Sequence, residues 1–245
     1  MKIGLMITCI NDALYPDAAI SVVKVLERLG HAVYFPEGQS CCGQMHLNSG
    51  YRVEGIELAK RSIDVFESFD YIVSPSASCV GTIREVYHNA AVATGDHSFE
   101  ESASQFAPKV FEFSEFLIDV LKVEDVGASF PHKVAYHPTC HSLRVTKAGD
   151  RPRRLLEAVR NLKLVEMEKE DSCCGFGGVF ALKNSDTSIA MGSDKFASVK
   201  KSGAEVLCSL DNSCLTHIGS IADRMKSGLK VMHLAEILAQ TGDEK

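Results

Sequence analysis

The tripeptide Cys-Cys-Gly occurs twice in this chain, at residues 41–43 and 173–175, and each copy has the same escort of further cysteines. Cys9 lies upstream of the first doublet with 31 residues between it and Cys41, and Cys140 lies upstream of the second with 32 before Cys173. Cys79 and Cys214 follow, each shortly after an apolar run. Eight of the nine cysteines therefore form two parallel sets of four. Adjacent cysteines are badly placed to bond to each other, because a disulfide needs a particular separation and dihedral. Both can ligate one metal centre, and the pattern reads as a duplicated thiolate site.

The flanking sequence is duplicated as well. Residues 2–9 and 133–140 are strand-like apolar runs ending in Thr-Cys, and helical patterns follow at 17–30 and 152–162. Second strands at 31–35 and 162–166 lead into the doublets. Amphipathic helices are expected at about 53–69 and 187–202, third strands at 71–74 and 204–208, and fourth strands at 109–113 and 230–233, each with a closing helix to about 121 and 240. Strands alternating with helices of this length predict an α/β fold, with two duplicated, Rossmann-like, three-layer halves and mainly parallel sheets. The halves are expected at 1–126 and 127–245, separated by the linker-like stretch 123–131. Each cysteine falls after a strand or in a loop before a helix, which is the C-terminal strand edge where open α/β sheets bind ligands.

Composition removes several functions. A net charge of -6 and the lack of a basic run argue against nucleic acid as a partner. The N-terminal apolar stretch is broken by Asn11 and Asp12 too early for a signal sequence. No apolar run approaches the ~18 residues of a membrane span, so a cytoplasmic location is expected. In that compartment an odd number of cysteines points to metal or redox chemistry in preference to disulfides.

Soft thiolates select iron–sulfur clusters, zinc or copper(I). Structural zinc sites commonly use paired C-x-x-C knuckles, whereas these ligands spread over about 70 residues and include a vicinal pair. A polynuclear cluster accommodates adjacent thiolates without straining a single tetrahedron. Gly43 and Gly175, with Gly177 and Gly178, give the backbone freedom to wrap such a centre. Zinc in a structural or assembly module remains open, as does a vicinal-dithiol redox protein requiring an exposed thiolate of depressed pKa. Gly177 and Gly178 do not follow a strand in the order G-x-G-x-x-G, so no dinucleotide site is expected.

A lone Cys, a long interval, Cys-Cys-Gly, a second interval and a C-x-x-C-like element together resemble the cysteine-rich CCG domain. That domain occurs in heterodisulfide reductase, in the iron–sulfur components of glycolate oxidase and anaerobic glycerol-3-phosphate dehydrogenase, and in lactate utilisation proteins. With two copies in one short chain, and the loops HPTCHSLR (137–144), DSCCGFGG (171–178) and DNSCLTHI (211–218), the sequence is most similar to the lactate utilisation protein A family of bacterial operons. The resemblance covers essentially the whole chain. It implies an electron-transfer subunit of a multi-protein system oxidising L-lactate to pyruvate, with one or two iron–sulfur clusters, 4Fe-4S in type. The partners it implies are the other lactate-utilisation subunits, including a ferredoxin-like iron–sulfur protein. The ligands it implies are Cys9, Cys41, Cys42 and Cys79 in the first half and Cys140, Cys173, Cys174 and Cys214 in the second. The full pattern in heterodisulfide reductase ends in C-x-x-C, and five cysteines there hold a non-cubane cluster. Here Ser76 and Asp211 stand at the first position of that element. Four cysteines per half still suffice for an ordinary four-iron cluster.

Other residues have weaker claims. His137, His141 and Arg144 flank Cys140, and His217 follows Cys214; each has a place near a site, either hydrogen-bonding a cluster sulfur or satisfied by backbone. His46, after the first doublet, has the same two readings. Cys208 aligns with Val73 and reads as a buried strand residue. His233 aligns with Glu112, away from any cysteine, and has no expected site role.

Overall fold

The computed structural model describes residues 1–242. The first half runs β1 (Ile3–Leu5), α1 (Cys9–Leu14), α2 (Pro16–Arg28), β2 (Val33–Tyr34), α3 (Gln44–Ser49), α4 (Arg52–Phe66), β3 (Tyr71–Ser74), α5 (Ala77–Gly81), α6 (Tyr87–Thr94), α7 (His97–Phe106), β4 (Val110–Glu112) and α8 (Phe113–Glu115). The second runs β5 (Lys133–His137), α9 (Cys140–Arg144), α10 (Arg151–Glu157), β6 (Lys163–Val165), α11 (Val179–Lys183), α12 (Ser185–Ser202), β7 (Val206–Ser209), α13 (Asn212–Arg224), β8 (Lys230–His233) and α14 (Leu234–Ala239). Each half is a four-stranded, all-parallel sheet, in the orders β2-β1-β3-β4 and β6-β5-β7-β8. The α/β duplication expected from the sequence is present. No helix among the described residues is long and apolar enough to cross a membrane.

The central strands β1, β3, β5 and β7 are buried on both faces, as parallel strands covered by helices must be, while β2, β6 and β8 at the edges are partly exposed. Along β3, Val73 faces the core shared by both halves while Ile72 faces an outer core; along β7, Cys208 and Leu207 divide the same way. The shared core joins Leu5, Val22, Leu26, Phe113 and Phe116 of the first half to Val134, Leu155, Leu156, Leu234 and Leu238 of the second. α2 supplies its part by placing Ala19, Val22, Val25 and Leu26 at helical spacing on one face, starting from Pro16 in the first turn.

Contacts between the halves are reciprocal. α2 packs on α14 and α10 on α8; α5 packs on α9 and α1 on α13. Since α2 corresponds to α10, α8 to α14, α1 to α9 and α5 to α13, each contact recurs with the halves exchanged. That is the signature of a two-fold relation between repeats. It turns the C-terminal edges of the two sheets toward each other.

Some expectations need correction. β2 and β6 are shorter than expected, because edge strands pair on one side only, and their ladders end at Gly4 and Ala135, before β1 and β5 themselves end. The expected linker at 123–131 is packed: Val126, Ala128 and Phe130 are buried in the shared core, and Ser129 bridges to Arg160. Arg28 helps to hold it, donating to the carbonyls of Val126 (3.0 Å), Leu238 (3.1 Å) and Ala239 (2.5 Å). Two of these acceptors are carbonyls at the C-terminal end of α14, where a cation is favoured. Arg28→Ala is expected to destabilise the protein by roughly 1–2 kcal/mol, read as a lower urea midpoint with an unchanged m-value.

Candidate metal centres

In a sheet of order 2-1-3-4 the connections leave β1 in one direction and β3 in the other, opening a crevice between their C-terminal ends. Cys9 begins α1 directly after β1, and Cys79 lies in α5 after β3. The second half repeats this, with Cys140 beginning α9 and Cys214 in the first turn of α13. The doublets arrive from long loops after β2 and β6. All nine cysteines are free. In the first set Cys42 Sγ lies 3.1 Å from Cys79 Sγ, and Cys9 Sγ lies 3.6 Å from Cys41 Sγ. In the second, Cys174 Sγ lies 3.0 Å from Cys214 Sγ, and Cys140 hydrogen-bonds Cys173.

Both doublets are cradled alike. The Gly43 amide donates to Cys41 Sγ at 3.4 Å, and the Gly175 amide to Cys173 Sγ at 3.3 Å. The two glycines sit at φ +81° and +89°, and a Cβ on them would stand 2.9 Å from the Gly55 carbonyl and 2.5 Å from the Ser188 carbonyl. Only glycine fits either place. The loops are anchored by different residues. Gln39 ties the first to β1 through Ile7 and Leu5, and the buried Tyr87 hydroxyl donates to the Cys42 carbonyl at 2.8 Å. In the second, Lys195 Nζ donates to the carbonyls of Lys169 (2.8 Å) and Glu170 (2.9 Å), and Ser188 Oγ donates to the Gly175 carbonyl (2.7 Å).

The two sets open onto one cavity of about 530 Å³, lined by all eight cysteines. Between them lies the contact that joins the halves. The buried carboxyl of Asp211 accepts hydrogen bonds on Oδ1 from Ser76 Oγ (3.0 Å), Ser78 N (3.1 Å) and Ser78 Oγ (2.9 Å), and on Oδ2 from Thr139 Oγ1 (2.9 Å). Ser76 and Asp211, which stand in place of the first cysteine of each C-x-x-C, are thus partners of each other across the two-fold. Asn212 Nδ2 donates to Asn11 Oδ1 at 3.0 Å, and Gln44 Nε2 meets His141 Nε2 at 3.0 Å, again across the halves.

Crowding of thiols dominates the electrostatics. The thiol of Cys41 is pulled far below the usual range by hydrogen bonds from Cys42 and Cys9, and that of Cys173 by those from Cys140 and Cys174. Their donors, Cys9, Cys42, Cys140 and Cys174, are pushed well up, chiefly by the same hydrogen bonds and then by burial. Cys41 and Cys173 are thus favoured to ionise ahead of the thiols that donate to them, since ionising those as well would crowd like charges together. A cation is what would let the others ionise, and the donor set fits a thiophilic metal or cluster.

The cysteine-rich CCG domain matches residues 3–84 and 134–219. Lactate utilization protein A of Oceanobacillus iheyensis is 41% identical over 238 residues, covering 97% of this chain and 96% of its own. The protein of the same name from Geobacillus kaustophilus is 42% identical over 97% of this chain and 98% of its own. The chain belongs to the lactate utilization protein A family. The fold is also that of a solved hypothetical protein from Helicobacter pylori, at TM-score 0.62 and 10% identity. That match covers 100% of this chain, which spans about half (49%) of the length of that one.

The remaining candidate residues of this family member separate clearly. His137 is buried beside Cys174 and Cys214. His141 lines the cavity and joins the halves. His217 is bonded to the Ser188 carbonyl at 3.0 Å and sits outside the cavity lining, where it steadies the loop of Gly175 through Ser188. Arg144 is exposed at the end of α9 and reaches Cys140 only through its charge. His46 stands outside the cavity lining and acts on Cys41 by charge. Cys208 is fully buried in the shared core, as a strand residue should be, and burial raises its thiol. His233 caps α14 by accepting from the Ala235 amide, as Glu112 caps α8 by accepting from that of Ser114. Sequence reasoning missed Tyr87, Lys195, Ser78 and Thr139, whose roles depend on long-range contacts with no local motif; Asp211 was singled out as a departure and not as a junction.

Because four raised thiols must lose protons when a cation enters, metal uptake should release protons and weaken as pH falls. Calorimetric titration in buffers of different ionisation enthalpy reads that release directly. Asp211→Ala leaves Ser76, Ser78 and Thr139 donors unpaired at the junction and is expected to cost on the order of 3 kcal/mol, measured by chemical denaturation of the metal-free protein.

Proposed function

We propose that this chain is an iron–sulfur electron-transfer subunit of a multi-protein system that oxidises L-lactate to pyruvate. The observation that carries the reading is the convergence of two equivalent sets of four free thiols on one cavity. Cys9, Cys41, Cys42 and Cys79 hold one centre, and Cys140, Cys173, Cys174 and Cys214 the other, within repeats spanning 1–126 and 127–245. The names of the relatives support the lactate assignment. A bound 4Fe-4S cluster supplies reversible one-electron transfer at each site.

This chain's residues contribute in three ways. The paired thiols provide anionic ligands, the Gly43 and Gly175 amides donate to ligand sulfurs and so temper their charge, and the Asp211 junction holds the two sets on a common cavity. Oxidation of lactate to pyruvate releases two electrons and two protons. Another protein of the system carries out that carbon chemistry, and the electrons pass onward singly, with a ferredoxin-like iron–sulfur protein among the other partners.

The test is iron, acid-labile sulfide and zinc content of anaerobically purified protein, with electron paramagnetic resonance on the same sample. About eight irons and eight sulfides per chain are expected from two four-iron sites, with a signal that responds to reduction. Cys42→Ser and Cys174→Ser should each remove about half of the iron. Stoichiometric zinc without sulfide would overturn the electron-transfer reading and make the chain a zinc-held assembly module.

A further inference from the structure

His137 ends β5 on the strand face that carries Ala135, away from the core shared by the halves. Its side chain is 1% exposed, and neither Nδ1 nor Nε2 has a hydrogen-bond partner. The neighbouring Glu170 carbonyl falls outside hydrogen-bond geometry for the ring and is already taken by Lys195. An imidazole buried in this way carries a desolvation cost that nothing else in the fold offsets. Its partner is in view: a ring nitrogen of His137 and the Sγ atoms of Cys174 and Cys214 all lie within 4.8 Å of one another. Donors around one tetrahedral metal stand roughly 3.5–4 Å apart at ordinary bond lengths, and donors to separate irons of a cluster stand farther apart, so the ring is in reach of a single ion as it lies and of a cluster once the side chains spread.

The first half has no histidine at the corresponding position; its own unpartnered imidazole nitrogen, Nδ1 of His46, follows the doublet and stands outside the cavity lining. Aligning the Thr-Cys ends of β1 and β5 places Met6 opposite His137, and Met6 is buried in the outer apolar core. The cation of the second loop is missing as well. Gly43 abuts Gly55 and Leu58 where Gly175 abuts Ser188 and Met191, so Ser62 occupies the place of Lys195. Lys195 is 1% exposed and lies close enough to Cys173 and Cys174 to feel their charge. The two thiol sets are thus equivalent in sulfur and unequal in everything that surrounds it.

The geometry points to His137 as a nitrogen ligand of the second-half metal centre, which makes that centre a mixed sulfur and nitrogen site while the first-half centre is held by thiolates alone. The inference rests on reading the eight cysteines as metal thiolates. Its consequence is a directional pair. A four-iron cluster takes one protein ligand per iron, so His137 replaces one of the four thiolates of that half; nitrogen in place of thiolate donation raises a cluster's reduction potential, and the buried ammonium of Lys195 acts in the same sense. Electrons entering the chain therefore collect on the second-half centre.

The experiment is pulsed electron paramagnetic resonance on the full chain, loaded anaerobically with iron and sulfide and carrying ¹⁵N-labelled histidine. One centre should show a nitrogen coupling of directly bonded strength, and the two should titrate at distinct potentials. His137→Met installs the residue of the first half, of similar bulk and without polar atoms. It should abolish the coupling and shift one potential while leaving the other in place. Iron and sulfide bound in full with no directly bonded nitrogen in the unsubstituted protein would overturn the ligand and leave the cluster reading standing. A coupling that persists in His137→Met would overturn it equally. If the protein takes up zinc instead, the electron-transfer reading fails, and X-ray absorption still decides the ligand: nitrogen lost in His137→Met supports it, and sulfur alone refutes it. A chain that binds neither metal refutes both.

Discussion

The carboxyl of Asp211 gathers four donors from both halves at the meeting point of two sheets. A parallel sheet offers its ligand-binding edge at one end only, so two such sheets share a site only if those ends are turned toward each other. Apolar packing of α2 on α14 and of α10 on α8 brings the halves together over a broad surface, but apolar packing is tolerant of small displacements. Directional hydrogen bonds to a buried carboxyl are not. They fix the loops after β3 and β7 against each other, and with them Cys79 and Cys214, three residues beyond Ser76 and Asp211. The common cavity depends on that register.

This explains why the positions that would complete C-x-x-C need not be cysteine here. Ser76 and Asp211 lie so near the two-fold that each faces the other half. A thiol at either place would have a neighbour from the opposite repeat. A hydroxyl and a carboxyl satisfy each other there, and Ser78 and Thr139 complete the carboxyl's acceptor capacity. In this chain both positions serve the junction between the halves.

Asymmetry within the repeat lies in what surrounds the sulfur atoms and in the chain between the third and fourth strands, and leaves the cysteine sets themselves alike. The Cys-Cys-Gly turn is kept in both halves because the left-handed glycine packs against a helix backbone with no room for a Cβ. Its anchors differ: Tyr87 from the α6 region on one side, Lys195 on the other. The first half devotes additional chain to α6 and α7 between β3 and β4, where the second passes through α13 alone. Equal sets of thiols thus sit in unequal surroundings.

Much of this was legible in the sequence. β3, a central strand, and β8, an edge strand, lie at the bounds read from their apolar runs, and α12 starts two residues early, because a compact apolar run or a long amphipathic helix is specified by its own periodicity. The similar spacing of the two cysteine sets identified the duplication and the eight thiols that line the cavity, since the cysteines recur with the repeat that carries them. The edge strands β2 and β6, the packed segment at 123–131 and α7 were read less well, because their limits are set by neighbours distant in sequence. By itself the sequence determined the α/β class, the two-fold repetition and which eight cysteines recur with the repeat. Only the tertiary structure decided that both sets face one cavity, that Ser76 and Asp211 are partners, and that His137 lies unpaired beside Cys174 and Cys214. Local patterns encode which face of an element is apolar, whereas the meeting of two strand ends is settled by the packing of the whole chain.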